Sequence, residues 1–234
     1  MAQRATTIDA NRRMAQRMEH PYNGAMSPHF RPATPADVDD AVPLIYSSGP
    51  AAFDYVFNVP GRASAQEFLR RAFLDGAGEF GYRNHVVGDA HGVLVAVGAA
   101  WSGASTLGFT LAAARQILGC YGPFAGPGVM SRGIRVESVI PPPPRGCCYI
   151  AHLGVRPELR SRGVGESLTR HLLAQGQRQG WKSAALDVAL TNPRAQALYE
   201  RMGFVVTRER ASHLTNATTR VANHRRMELD LATN

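Results

Sequence analysis

An almost unbroken apolar run, Tyr149 to Val155, reads as a strand buried on both faces. Pro157 stops it. A short turn flanked by arginines then carries Gly163 and Gly165 into a segment whose Val164, Leu168 and Leu172 recur every four residues, a helical spacing. Strand, glycine turn and helix together hold phosphate well. Glycine lets the backbone approach the ligand closely, and the free N–H groups at the start of the helix point at it with the helix dipole behind them. Arg160 and Arg162 add positive charge at the same end.

Two better-known phosphate turns do not fit. A P-loop closes on Gly-Lys-Ser/Thr, and the only lysine of this chain is Lys182. A dinucleotide fingerprint needs a third glycine where Leu168 stands. A second signal lies downstream, in Asn192-Pro193-Arg194-Ala195-Gln196-Ala197-Leu198-Tyr199-Glu200-Arg201-Met202-Gly203-Phe204.

Arg160-Ser161-Arg162-Gly163-Val164-Gly165 resembles the Arg/Gln-x-x-Gly-x-Gly/Ala motif of the GNAT N-acetyltransferase superfamily. The downstream stretch resembles that family's Asn-x-x-Ala-x-x-Leu-Tyr-x-x-x-Gly-Phe signature. Two motifs in the family's order and spacing are much harder to meet by chance than either alone. The close resemblance covers Tyr149 to Phe204, and a looser one reaches back to Arg31 and on to the C-terminus.

The resemblance implies an α/β fold: a central mixed sheet flanked by helices, with acetyl-coenzyme A as co-substrate and no metal. The strands ending at Val155 and near Leu190 would splay apart. The pantetheine arm would pair with backbone groups of Leu153, Gly154 and Val155 like an added strand. A backbone N–H there could also stabilise the oxyanion formed during transfer. The pyrophosphate would rest on Arg160, Ser161, Arg162, Gly163, Val164, Gly165 and Glu166. Asn192 would either cap the last helix or bond the pantetheine. Tyr199 matches the family's general acid beside the coenzyme sulfur; packed in the core, it would be structural only.

The expected base is missing. The positions where relatives carry a glutamate or water-linked histidines are Tyr149 and Ala151 here. His152 lies on the same strand, and strict alternation sends it to the opposite face, where a buried structural role is expected. Tyr149 and His152 are therefore the catalytic candidates beside Tyr199. The base could also be a water chain or an insert residue, or be dispensable for a weakly basic amine. Arg156 and Arg201 read as surface charges.

The rest of the chain follows in order. Residues 1–28 mix arginines with Asp9 and Glu19 and contain no apolar signal core, so a disordered basic extension is expected, with residues 29–234 as the domain. The arginine content suits a mitochondrial presequence, but the acidic residues count against one. Met26 offers an alternative internal start. Phe30 to Ala33 predicts a first strand, and Thr34-Pro35 the cap of a helix that ends at Ser47-Ser48-Gly49-Pro50. Ser64 and Glu67 form a capping box for a second helix to Leu74. Between them Phe53, Tyr55, Val56 and Phe57 form either core or the acceptor wall. Arg83 to Gly88 and Val93 to Trp101 predict a hairpin.

Residues 105–140 look like a partly helical insert, suited to a lid or a dimer face. Pro141 to Pro144 make a stiff spacer. Strands over Ala184 to Leu190, Val205 to Ser212 and Arg226 to Leu231 complete the sheet, with the Asn192-capped helix among them.

The chain carries 26 Lys and Arg against 18 Asp and Glu, a net charge of +8. The basic residues are scattered and no nucleic-acid motif is present, so nucleic acid is not the expected partner. No apolar run reaches the roughly 18 residues of a membrane span. Three cysteines, two of them adjacent at Cys147 and Cys148, fit neither a disulfide framework nor a zinc site, and suggest a reducing cytoplasm. The expected activity is acetyl transfer from acetyl-coenzyme A to a primary amine on a small molecule or protein. A module that binds acyl-coenzyme A with little turnover is the alternative. The sequence does not separate a protein α-amine, a lysine, a polyamine, an amino acid or an aminoglycoside as acceptor.

Overall fold

The computed structural model describes residues 28–232. The expected extension over 1–28, apart from Pro28, and the alternative start at Met26 lie outside the described residues. Seven strands are formed: β1 (His29–Pro32), β2 (His85–Ala90), β3 (Val93–Trp101), β4 (Cys147–Val155), β5 (Ser183–Ala189), β6 (Val205–Arg210) and β7 (His224–Asp230). They lie in the order β1-β2-β3-β4-β5-β7-β6. Only β4 and β5 run parallel; every other pair is antiparallel. This is the mixed sheet expected.

Six helices cover it: α1 (Val38–Ser47), α2 (Pro50–Phe57), α3 (Ala65–Asp75), α4 (Thr106–Val136), α5 (Val164–Arg178) and α6 (Pro193–Arg201). The first four enclose one apolar core around Phe57, Phe68, Phe73 and Tyr121. The last two enclose another around Leu168, Leu172, Tyr199 and Phe204 on the opposite face. The capping box expected at Ser64 is present, with the Ser64 Oγ accepting from the Glu67 N–H at 3.2 Å.

Two helical assignments change. Ser47-Ser48-Gly49-Pro50 ends α1 as expected, but Pro50 also opens α2, because proline at the first helical position forfeits an N–H that has no partner there. The insert is helical almost throughout. Its two limbs join at a kink where Gly122 adopts φ 74 and ψ 177, directly before Pro123.

The insert is fixed from both limbs. Tyr121 donates its hydroxyl to the Phe57 carbonyl at 2.6 Å. Arg132 donates to the Val56 carbonyl at 2.8 and 3.0 Å. Both carbonyls end α2 and would otherwise lack helical partners. Arg115 forks onto Asp75 at the end of α3, at 2.6 and 2.7 Å. So α4 stands as a wall rather than a loose flap.

Candidate active site

β4 and β5 are paired only at their beginnings, through Cys147↔Ser183, Cys148↔Ala184 and Tyr149↔Ala185. Beyond Tyr149 the two strands diverge, as expected, and β4 keeps ladder bonds only with β3. The gap opens into a cavity of about 1080 Å³ that runs from the glycine turn to α4. Its lining includes Tyr149, His152, Leu153, Gly154, Val155, Arg160, Ser161, Gly163, Gly165, Glu166, Asn192 and Tyr199.

The structure corrects the expected direction of His152. In the β3–β4 ladder Val97 faces Gly154 and Ala99 faces Ala151, so Gly98 alone opposes both His152 and Leu153. This is a β-bulge, and His152 takes φ 57 within it. That left-handed conformation costs about 1–2 kcal/mol in a non-glycine residue. One extra residue shifts the phase of alternation, so His152 joins Tyr149 on the cavity side instead of pointing away. Its ring lies 5.1 Å from Phe80 and 5.6 Å from Trp101. Leu153 takes the far side over Gly98, where an added Cβ would come within 2.8 Å of it.

His152 lies between His85 and Glu79. His85 Nδ1 lies 2.9 Å from the Gly81 carbonyl, and His85 Nε2 lies 3.1 Å from His152 Nδ1. His152 Nε2 lies 3.2 Å from a Glu79 oxygen. The partners determine the tautomers. A carbonyl only accepts, so His85 carries its proton on Nδ1 and accepts at Nε2. His152 must then donate from Nδ1, so its Nε2 and the Glu79 carboxylate, both acceptors, need a shared proton for their contact to be a hydrogen bond. Glu79 is 40% exposed and lines the cavity, whereas the His152 side chain is only 6% exposed.

Burial, reinforced by repulsion from His152, pushes the His85 pKa from 6.5 down to about 3. The unfolded chain therefore binds this proton as pH falls below 6.5, while the folded protein resists it until about 3. This contribution to stability is complete above pH 6.5 and is lost on acidification through that window. At 1.36 kcal/mol per unit, about 2 kcal/mol should disappear between pH 7 and 5. In His85→Gln, urea titrations across the same range should show that much less acid sensitivity. An unchanged pH slope would assign the effect to other groups.

Tyr149 and Tyr199 also face the cavity. Tyr149 donates its hydroxyl to Asp187 at 2.8 Å; burial, then the Asp187 charge, raises its pKa well above the usual tyrosine value. It is a structural donor on the cavity floor. Tyr199 is 8% exposed and packs edge-on to Phe204 at 5.9 Å. Burial raises its pKa too, which keeps the phenol protonated at neutral pH. Among the described residues its hydroxyl has no hydrogen-bond partner.

At the other end, Ser161 (φ 61) and Gly163 (φ 82) turn the chain into α5. An added Cβ at Gly163 would meet nothing within 4 Å, so space lies open before the helix start. The N–H groups of the first turn have no helical partners. Arg194 on α6 holds the turn, donating to Ser161 Oγ at 2.6 Å. Arg160 lines the cavity, but Arg162 does not, and the Val164 side chain is buried in the second core. These two can offer the turn charge and a backbone N–H, but not lining side chains. Glu166 pairs with Arg170 at 2.8 Å. Asn192 caps α6, accepting from the Ala195 N–H at 3.1 Å. Gly154 has a packing role: an added Cβ would lie 2.3 Å from the Leu44 carbonyl oxygen, so α1 can cross β4 only over glycine.

Arg156 and Arg201, read as surface charges, both bond backbone carbonyls, and Arg201 also lines the cavity. Arg156 bonds the Leu94 carbonyl and Asp40, and Arg201 the Ala197 carbonyl. Sequence reasoning missed Glu79, His85 and Asp187, which come from separate segments with no motif to mark them, and Arg194, which stands at an unspecified position of the second signature.

A family model described as the acetyltransferase (GNAT) family matches residues 84–204. The chain belongs to the GNAT acetyltransferase family. Acetyl transfer is the general activity of GNAT proteins, and the match spans both signatures read above. An N-acetyltransferase from Staphylococcus aureus Mu50 is similar at a TM-score of 0.63 and 17% identity, covering 86% of this chain and 100% of that one. A GCN5-related N-acetyltransferase from Kribbella flavida is similar at 0.53 and 16%, covering 88% and 99%. An agmatine N-acetyltransferase variant in its apo form is similar at 0.53 and 16%, covering 87% and 99%. At these identities the likeness is one of fold. No curated protein is matched. No helix among the described residues is long and apolar enough to cross a membrane, and no group of three or more metal-ligating side chains occurs among them.

Proposed function

We propose that the protein moves an acetyl group from acetyl-coenzyme A directly to a primary amine, with both bound in the one cavity. A single observation carries this reading: the cavity runs unbroken from the glycine turn, past Tyr199, to the Glu79–His152 pair. The fit to the coenzyme rests on the open, left-handed turn at Gly163, the free N–H groups of α5, Arg160 beside them, and the unpaired edge of β4.

When bound, acetyl-coenzyme A supplies the thioester carbonyl. The protein's own residues then have three tasks. Backbone groups of Leu153, Gly154 and Val155 orient the arm along the β4 edge. Glu79 and His152 Nε2 together receive the proton that the attacking amine must lose as its nitrogen–carbon bond forms. Tyr199, kept protonated by burial, gives its proton to the sulfur as the carbon–sulfur bond breaks. His85 is a positioning residue that fixes the His152 tautomer. On this reading the Glu79–His152 pair takes the place of the base that Tyr149 and Ala151 do not provide.

Steady-state thiol release from acetyl-coenzyme A tests the acid. Tyr199→Phe should lower kcat by about a hundredfold or more and leave coenzyme affinity nearly unchanged. An unchanged rate would leave Tyr199 as core packing and remove the acid from the scheme.

A further inference from the structure

The acceptor half of the cavity has a one-sided chemistry. Its wall is formed by Phe53, Phe80, Trp101, Phe109, Ile117 and Met130, drawn from α2, β3, α4 and the segment before β2. Trp101 and Phe109 meet edge to face at 5.6 Å, and Phe53 and Phe80 at 5.8 Å. The ionisable groups gather beside β4, and the lining hydroxyls of Ser47, Ser48 and Thr110 are bonded to carbonyls of their own helices at 2.7 to 2.9 Å. There Glu79, beside His152 at 3.2 Å and next to Phe80 in the chain, is the carboxylate placed to meet an ammonium; Asp187 is taken by Arg226 at 2.7 Å and Tyr149 at 2.8 Å, and Glu166 by Arg170 at 2.8 Å. Glu137 is exposed beyond the end of α4. The cavity's lining arginines, Arg160, Arg194 and Arg201, all belong to the glycine turn or to α6.

Resting on the function proposed above, we infer that the acceptor is a small amphipathic primary amine: one ammonium head on an alkyl or aryl body, without a carboxylate. The head meets Glu79 and the aromatic faces of Phe80 and Trp101, where cation–π attraction adds to the charge pair. The body fills the wall and is driven there by its apolar area. An amino acid would bury its carboxylate with no cation beside it, and an aminoglycoside would bury hydroxyls against hydrocarbon. The insert α4, through Ile117 and Met130, sets this specificity.

The test uses the full-length protein, saturating acetyl-coenzyme A and thiol release. Across straight-chain amines from butylamine to octylamine, kcat/KM should rise about fourfold per methylene until the wall is filled. Phenethylamine should exceed spermidine, free amino acids and kanamycin by about tenfold or more. Phe109→Ala should raise KM for phenethylamine about tenfold, while leaving the thermal shift with coenzyme A unchanged.

A flat series, with spermidine or a peptide N-terminus preferred, would overturn this inference and leave amine acetylation standing. A flat series with octanoyl-coenzyme A preferred over acetyl-coenzyme A would assign the wall to the acyl group and overturn it equally. If no amine supports thiol release, despite a thermal shift with coenzyme A, both readings are overturned.

Discussion

Glu79→Gln and His152→Gln are each expected to lower kcat by about a hundred- to ten-thousandfold without weakening coenzyme binding. Glutamine keeps the approximate size of either side chain and removes the basic site. His152→Gln retains a donor for His85 Nε2 but has no nitrogen to accept a proton beside Glu79. Glu79→Gln leaves the imidazole in place and removes the carboxylate that stabilises it once charged. The pH profile separates a base from a packing residue. Without the base, only the amine fraction that is already neutral reacts, so kcat/KM should climb tenfold per pH unit toward the amine pKa, near 10 for an alkylamine. The wild type should instead level off at lower pH. A variant with reduced kcat and the wild-type profile would mean that the pair only shapes the cavity.

The second large effect concerns stability. Arg226→Met should destabilise the fold by about 3–5 kcal/mol, because it strands a buried carboxylate. The Asp187 side chain is 1% exposed and lies 2.7 Å from Arg226. Arg210 is 3.9 Å away, with a buried nitrogen that has no partner of its own, and is too distant to replace the lost fork. Arg226 also donates to the Pro141 carbonyl at 2.7 Å, tying the proline spacer after α4 to the sheet. For a domain of this size the loss corresponds to a fall in Tm of about 10 °C. The double variant Asp187→Leu/Arg226→Met should recover much of it, since well-packed apolar replacements of a buried pair are often neutral. Equal Tm values for Arg226→Met and wild type would show that the pair contributes no net stability.

The parts of this protein that were legible in its sequence are those built from neighbours along the chain. The β4–turn–α5 unit could be read because Gly163, Val164 and Leu168 act on one another within a few residues, and Asn192 through Phe204 is equally local. The Ser64–Glu67 cap followed from spacing alone. The orientation of His152 was not legible. It depends on Gly98, about 50 residues earlier, facing two residues of β4 instead of one, and alternation along β4 carries no mark of that. Glu79 and His85 reach His152 only through tertiary packing, so the base looked absent. Helix α2 was missed because Pro50 reads as a stop as readily as a start. The insert read as only partly helical because the breakers at Gly122 and Pro123 kink α4 without ending it.

The central claim is that the left-handed turn before α5 receives the coenzyme, and a thermal-shift titration tests it most directly. Coenzyme A and acetyl-coenzyme A at about 100-fold excess over Kd should stabilise the protein by about 2.7 kcal/mol, a rise in Tm of about 5–10 °C. ATP should give no comparable rise. Gly163→Val, compared with its own ligand-free Tm, should lose the shift, because a branched side chain would fill the space in front of the free N–H groups. An undiminished shift in Gly163→Val, or none in the wild type, would contradict the account.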